Sequence, residues 1–138
     1  ITSLFIIQSA NASNIYHIRT VKEITDGDTF QIYTTEESNM IEPLGLKIRV
    51  ANINTPEIGK ANCSYEKKLG IDAKKYLASI LKPDSIVKLR NVKWDKFGGR
   101  LDALVEFDGQ DLGERLIKDG YAKPSNGKGE KFNWCAGK

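Results

Sequence analysis

The chain has 138 residues, 40% of them hydrophobic and 28% charged, which is enough for one globular domain and little more. That balance excludes a disordered chain, a collagen-like chain and a disulfide-dense mini-protein, and no run of about 18 apolar residues supports a membrane span. The net charge is +3, with an acidic excess over residues 1–60 and a basic excess over 61–138, a distribution that suits a polyanion bridged to an acidic pocket by a cation.

Taken in chain order, residues 1–12 come first. Ser3-Leu4-Phe5-Ile6-Ile7 is apolar, and Ala10-Asn11-Ala12 has the small-x-small form of a cleavage site. This reads as the back half of a secretory signal peptide without its basic start, so the expectation is an exported (periplasmic or secreted) domain over 13–138. Ile15–Glu23 reads as a strand, and Asp26-Gly27-Asp28 as a hairpin turn. Thr29–Tyr33 alternates as a second strand, and 34–44 is a polar loop. A third strand runs over Leu46–Ile53 until Pro56 breaks it.

Ser64 is expected to cap a helix reaching about Leu81, with Tyr65, Leu69, Ala73, Tyr76, Leu77, Ile80 and Leu81 on one face. Pro83 ends it. Strands follow over Ile86–Val92 and Leu101–Phe107, separated by a Gly-containing turn. Asp111, with Glu114 three residues on, caps a short helix that Gly120 stops. Beyond Tyr121 the chain is rich in Lys, Gly and Asn and is expected to be irregular. This order predicts an α+β fold, a five-stranded OB-type barrel with a helix between the third and fourth strands and a C-terminal helix.

Two cysteines, Cys63 and Cys135, predict one disulfide in an exported protein. They cannot build a zinc site alone, and His17 is the single histidine, which removes the usual histidine-based hydrolytic machineries. Four segments carry chemistry instead. Asp26-Gly27-Asp28-Thr29 presents two carboxylates, suited to a hard cation. Arg49 sits at a partly covered strand position, where a guanidinium wants a partner or a phosphate. Asn54-Thr55-Pro56-Glu57 offers amide and carbonyl oxygens and a carboxylate. Asp95-Lys96-Phe97-Gly98-Gly99-Arg100 delivers a second guanidinium. Cation ligands, a carboxylate base and two arginine forks are the parts that phosphodiester hydrolysis requires.

These motifs, DGDT at 26–29, RVANINTPE at 49–57 and DKFGGR at 95–100, resemble the staphylococcal nuclease (thermonuclease) family over roughly residues 18–122. The resemblance implies a Ca²⁺-dependent nuclease acting on DNA and RNA. It casts Asp28 as the main metal ligand, Asn54 as a second ligand where the family has Asp, and Thr55 as a backbone-carbonyl ligand. Asp26 becomes a carboxylate close to the metal, Glu57 the general base, and Arg49 and Arg100 the phosphate-binding arginines. Asn54 removes one charge from the metal site, Phe97 replaces a Tyr, and Gly99 lengthens the turn before Arg100. Lys96 and Tyr121 are expected substrate contacts, although Tyr121 is equally suited to packing on the barrel. A monomer without membrane insertion is expected. The alternatives are a scaffold domain of the same fold that has lost catalysis, and an unrelated oligonucleotide-binding OB module.

Overall fold

The computed structural model describes residues 16–33, 46–96, 98–126 and 130–137. The segment read as a signal peptide, the expected 34–44 loop and Phe97 lie outside the described residues. Eight strands and two helices follow in the order β1 (His17–Asp26), β2 (Thr29–Ile32), β3 (Leu46–Val50), β4 (Ile53–Asn54), α1 (Ser64–Ile80), β5 (Ile86–Trp94), β6 (Leu101–Phe107), β7 (Gln110–Asp111), α2 (Leu112–Lys118) and β8 (Lys123–Pro124).

Five of these strands close a barrel. The sheet runs β3-β2-β1-β5-β6, and β6 returns to pair with β3 in parallel, through Ile48↔Leu101, Arg49↔Asp102 and Val50↔Ala103. Closure leaves no long sheet edge exposed. Inward alternation fills the barrel with Val21, Phe30, Ile32, Ile48, Val50, Val87, Leu89 and Val105. Leu77 and Leu81 of α1 and Leu112 and Leu116 of α2 plug the remaining sides. The expected fold, a five-stranded barrel with two helices, is the one observed.

Local differences have physical causes. The third strand does not run through to Ile53. Asn52 adopts φ 67° in the turn after Val50, which takes Ile53–Asn54 out of the barrel sheet while Ile53 stays buried in the core. There, as β4, it pairs antiparallel with β8, inside a stretch expected to be irregular. The cap of α1 is Cys63, not Ser64: its Sγ accepts from the Glu66 N–H at 3.3 Å. β5 continues past Val92 to Trp94 through a bulge between Arg90 and Lys93, with Asn91 at φ 54°. The expected α2 cap is present, Asp111 Oδ1 accepting from the Glu114 N–H at 2.9 Å.

The buried face of α1 differs too. Glu66 and Gly70 are buried, alongside Ala73 and Leu77. A Cβ at Gly70 would lie 2.6 Å from the Glu57 carbonyl oxygen, so only glycine lets the helix lie against the chain leaving β4. The disulfide Cys63–Cys135 is formed and closes a sequence separation of 72 residues. It fastens a 3₁₀ turn, Trp134–Gly137, to the start of α1.

Candidate active site

A groove of about 950 Å³ opens at one end of the barrel. Asp26 and Asp28 border it from the β1–β2 hairpin, Arg49 from β3, and Asn54, Thr55 and Glu57 from β4 and the loop after it. Lys96 and Arg100 enter from the β5–β6 hairpin. Eight of the nine residues singled out from the sequence therefore share one surface. Tyr121 is the ninth, and it lies elsewhere, stacked on Tyr76 of α1 at 4.2 Å between ring centroids.

Backbone register explains most of this convergence. Thr29 is paired with Arg49 across β2 and β3, which sets Asp28 beside the guanidinium. Arg49 Nε lies 3.4 Å from Asp28 Oδ2, and its Nη2 donates to the Ile53 carbonyl at 3.1 Å. Thr29 Oγ1 donates to Asp28 Oδ1 at 2.8 Å. Both side chains are largely covered, so the pair is held more rigidly than a surface ion pair. Arg100 is oriented similarly, its Nε 3.2 Å from Asp95 Oδ2. The Gly98-Gly99 pair has φ 75° and 82°, so glycine absorbs the longer turn while Arg100 still reaches the groove.

Glu57 depends on a different support. Its backbone N–H donates to Glu66 Oε2 at 3.0 Å, and the Asn62 N–H donates to Glu66 Oε1 at 2.8 Å. One buried carboxylate thus clamps both ends of the loop that follows Glu57. The Glu57 carboxylate itself faces Lys131, with Oε2 3.9 Å from Nζ. Asn54 Nδ2 donates to the Glu130 carbonyl at 3.0 Å, so the Asn54 Oδ1 is not used in this pairing and can accept or ligate. Sequence reasoning does not single out Glu66, Glu130 or Lys131. The signal available for Glu66 is its place three residues after the cap, where an acidic residue normally reaches back to the helix start.

Charge is unevenly resolved across the groove. Burial first, and then the negative charge of Asp28, push the Asp26 carboxyl above the ordinary carboxylate range, against the pull of Lys74, Arg100 and Lys47. Asp102 is raised in the same way, by burial and then by Asp95, and its Oδ1 is buried without a hydrogen-bond partner. Two carboxylates that resist sharing negative charge are suited to a cation. Asp26, Asp28, the Asn54 amide oxygen and the Thr55 carbonyl are all hard oxygen donors, the chemistry Ca²⁺ prefers. Among the described residues, no group of three or more His, Cys, Asp or Glu side chains gathers closely enough for a metal, so amide and carbonyl oxygens would have to complete this set.

Among the described residues, no helix is long and apolar enough to cross a membrane. No curated protein matches the chain. A family description, staphylococcal nuclease homologue, matches residues 47–133. That span holds Arg49, the Asn54–Glu57 segment and Arg100, and the β2–β3 register brings Asp28 to them from outside it. With more than half of its length matched and the closed barrel to go with it, the chain belongs to the staphylococcal nuclease homologues.

Proposed function

We propose that this groove hydrolyses phosphodiester bonds of DNA and RNA with a divalent cation, Ca²⁺ foremost. The observation that carries the reading is the meeting of Arg49, Arg100, Glu57 and Asp28 around one open groove, from four separate parts of the chain. Asp26, Asp28, the Asn54 amide oxygen and the Thr55 carbonyl would hold the ion, and a bound cation there would supply charge neutralisation for the phosphate.

The remaining work falls to the chain's own residues. Arg49 and Arg100 fork onto the phosphate oxygens and stabilise the extra charge of the five-coordinate transition state. Glu57 takes a proton from the attacking water as its oxygen bonds to phosphorus. As the resemblance to the staphylococcal nuclease family implies, the P–O5′ bond breaks and the released oxygen takes a proton from solvent water, giving a 5′-hydroxyl and a 3′-phosphate. Lys131, its Nζ 3.9 Å from Glu57 Oε2, sets a positive charge across from that carboxylate. All of these groups come from a single chain, so the site as read needs no second copy to be complete. Export belongs to the same reading: it is supported by the apolar segment with its Ala10-Asn11-Ala12 site, and by a disulfide of the kind that persists in oxidising compartments.

The test is digestion of single-stranded DNA, plasmid and RNA with Ca²⁺, with Mg²⁺ and with chelator. Cleavage that chelator abolishes is the expected result. Intact DNA and RNA at millimolar concentrations of both ions would overturn the proposal, and binding without cleavage would favour the scaffold alternative.

A further inference from the structure

Trp94 is the most exposed large hydrophobic side chain among the described residues, at 66%. A tryptophan so placed forgoes most of the burial that its large ring normally gains. Its position is not incidental to the groove. It is the last residue of β5, pairs with Leu101 across the hairpin, and borders the groove together with Lys93, Asp95 and Arg100. The next residue, Asp95, holds Arg100 through its side chain and through a backbone hydrogen bond from the Asp95 N–H to the Arg100 carbonyl at 3.0 Å. The bulge between Arg90 and Lys93 lies immediately upstream. Bulges beside functional sites re-aim the side chains that follow them, and this one turns the end of β5 away from the barrel core.

We propose that Trp94 is a stacking platform for an unpaired base of the bound strand, next to the phosphate held at Arg100. The proposal rests on the reading of the groove as a nucleic-acid site and adds to it a base contact, which neither arginine provides. A flat, uncharged ring beside a fixed guanidinium matches the repeat of a nucleotide, in which a planar base adjoins a charged phosphate. The indole face accepts any base, so the contact strengthens binding without choosing a sequence. Lys93, on the same strand end, supplies positive charge for the neighbouring phosphate.

The experiment uses full-length protein carrying Glu57→Gln, so that bound strands stay intact, and measures binding of a short fluorescent oligothymidine and of an abasic oligomer of equal length and charge. Trp94→Ala should weaken oligothymidine binding by about 5- to 150-fold, the range that base–aromatic stacking spans. It should leave the abasic oligomer's affinity and the salt dependence of binding unchanged, since no phosphate contact is lost. Trp94→Phe should keep most of the oligothymidine affinity. Thermal melts matching the parent protein show that these exposed substitutions leave the fold in place. Equal oligothymidine affinity in the parent and the Trp94→Ala protein would overturn the platform while leaving the nucleic-acid reading standing. Equal losses on both oligomers would overturn it too, as a loss of charge steering. Failure of the parent protein to bind either oligomer would overturn both.

Discussion

The groove has two walls built on different principles. On the barrel side, Asp28, Arg49 and Arg100 are placed by strand register and a closed hairpin, so their positions follow from the backbone. On the loop side, Glu57 is placed by side chains from other elements: Glu66 beneath it, Lys131 across from it, and the Cys63–Cys135 bond that keeps residue 131 nearby. The contrast separates binding from turnover. On the proposed reading, the barrel wall carries the cationic forks that would hold a phosphate, while the loop wall carries the proposed base.

The sharpest way to break this contrast is to remove the base. Glu57→Gln should cut turnover by roughly 10²- to 10⁴-fold while oligonucleotide affinity holds. Arg49→Ala and Arg100→Ala should lower both, and single-turnover rates alongside binding isotherms separate the two patterns. An Arg100→Ala protein with parental turnover would place that guanidinium outside the chemistry.

Opening the disulfide comes next. Cys63→Ser with Cys135→Ser keeps a hydrogen-bond acceptor at the α1 cap, oxygen in place of sulfur, and removes the cross-link. The chain-entropy argument for a loop of 72 residues gives a loss of roughly 4 kcal/mol in urea unfolding. In whatever fraction stays folded, turnover should fall further than oligonucleotide affinity.

Glu66→Ala strips the acceptor from two backbone N–H groups and should cost about 1–3 kcal/mol in thermal or urea melts. Turnover should fall with nucleic-acid affinity retained, and Glu66→Gln, which keeps one acceptor oxygen, should lie between. Asn54→Asp tests the seam between the walls. Restoring a charge at the cation site should tighten Ca²⁺ by about tenfold in calorimetry. The same change loses the donor to the Glu130 carbonyl, so a small drop in melting temperature should accompany it.

The smallest effect is expected at Asp102, on the barrel wall. Its carboxyl titrates above the ordinary range because burial and Asp95 oppose its charge. Ionised Asp102 therefore costs stability above its folded pKa. That cost disappears once the pH falls below the ordinary carboxylate value, where folded and unfolded chains are both protonated. Asp102→Asn should raise the melting temperature at neutral pH and change little near pH 3.

The same contrast governs how much can be read in advance. The barrel wall is legible because its residues lie in short motifs whose spacing survives a strand or a hairpin, as Asp26–Thr29 and Asp95–Arg100 do. The loop wall is legible only in its Asn54–Glu57 motif, and what holds that motif in place is not. β4 and β8 have two residues each, too few to show a period-2 pattern, and only their pairing gives them away. Cys63 escapes notice as a cap because sulfur is a weak acceptor and Ser64 beside it is a better one by type. Glu66 reads as a solvated charge near a helix start, and nothing local announces that two N–H groups from an earlier loop converge on it. Gly70 looks like a helix weakness until the Glu57 backbone is seen against it. Tyr121 stands between two uses in the sequence, and it is found stacked on Tyr76, away from the residues that border the groove.

The parallel pairing of β3 with β6 also has a kinetic side. It joins Arg49 to Asp102 across more than fifty residues, the kind of contact that must wait for a large part of the chain to be ordered. A β1–β2–β3 meander alone would contain Asp28 and Arg49, but Arg100 reaches them only when Leu101–Ala103 locks onto β3. Closing the barrel and completing the proposed phosphate clamp are one event. Variants that slow the closure should therefore delay the appearance of activity in refolding without changing the specific activity of the protein that has finished.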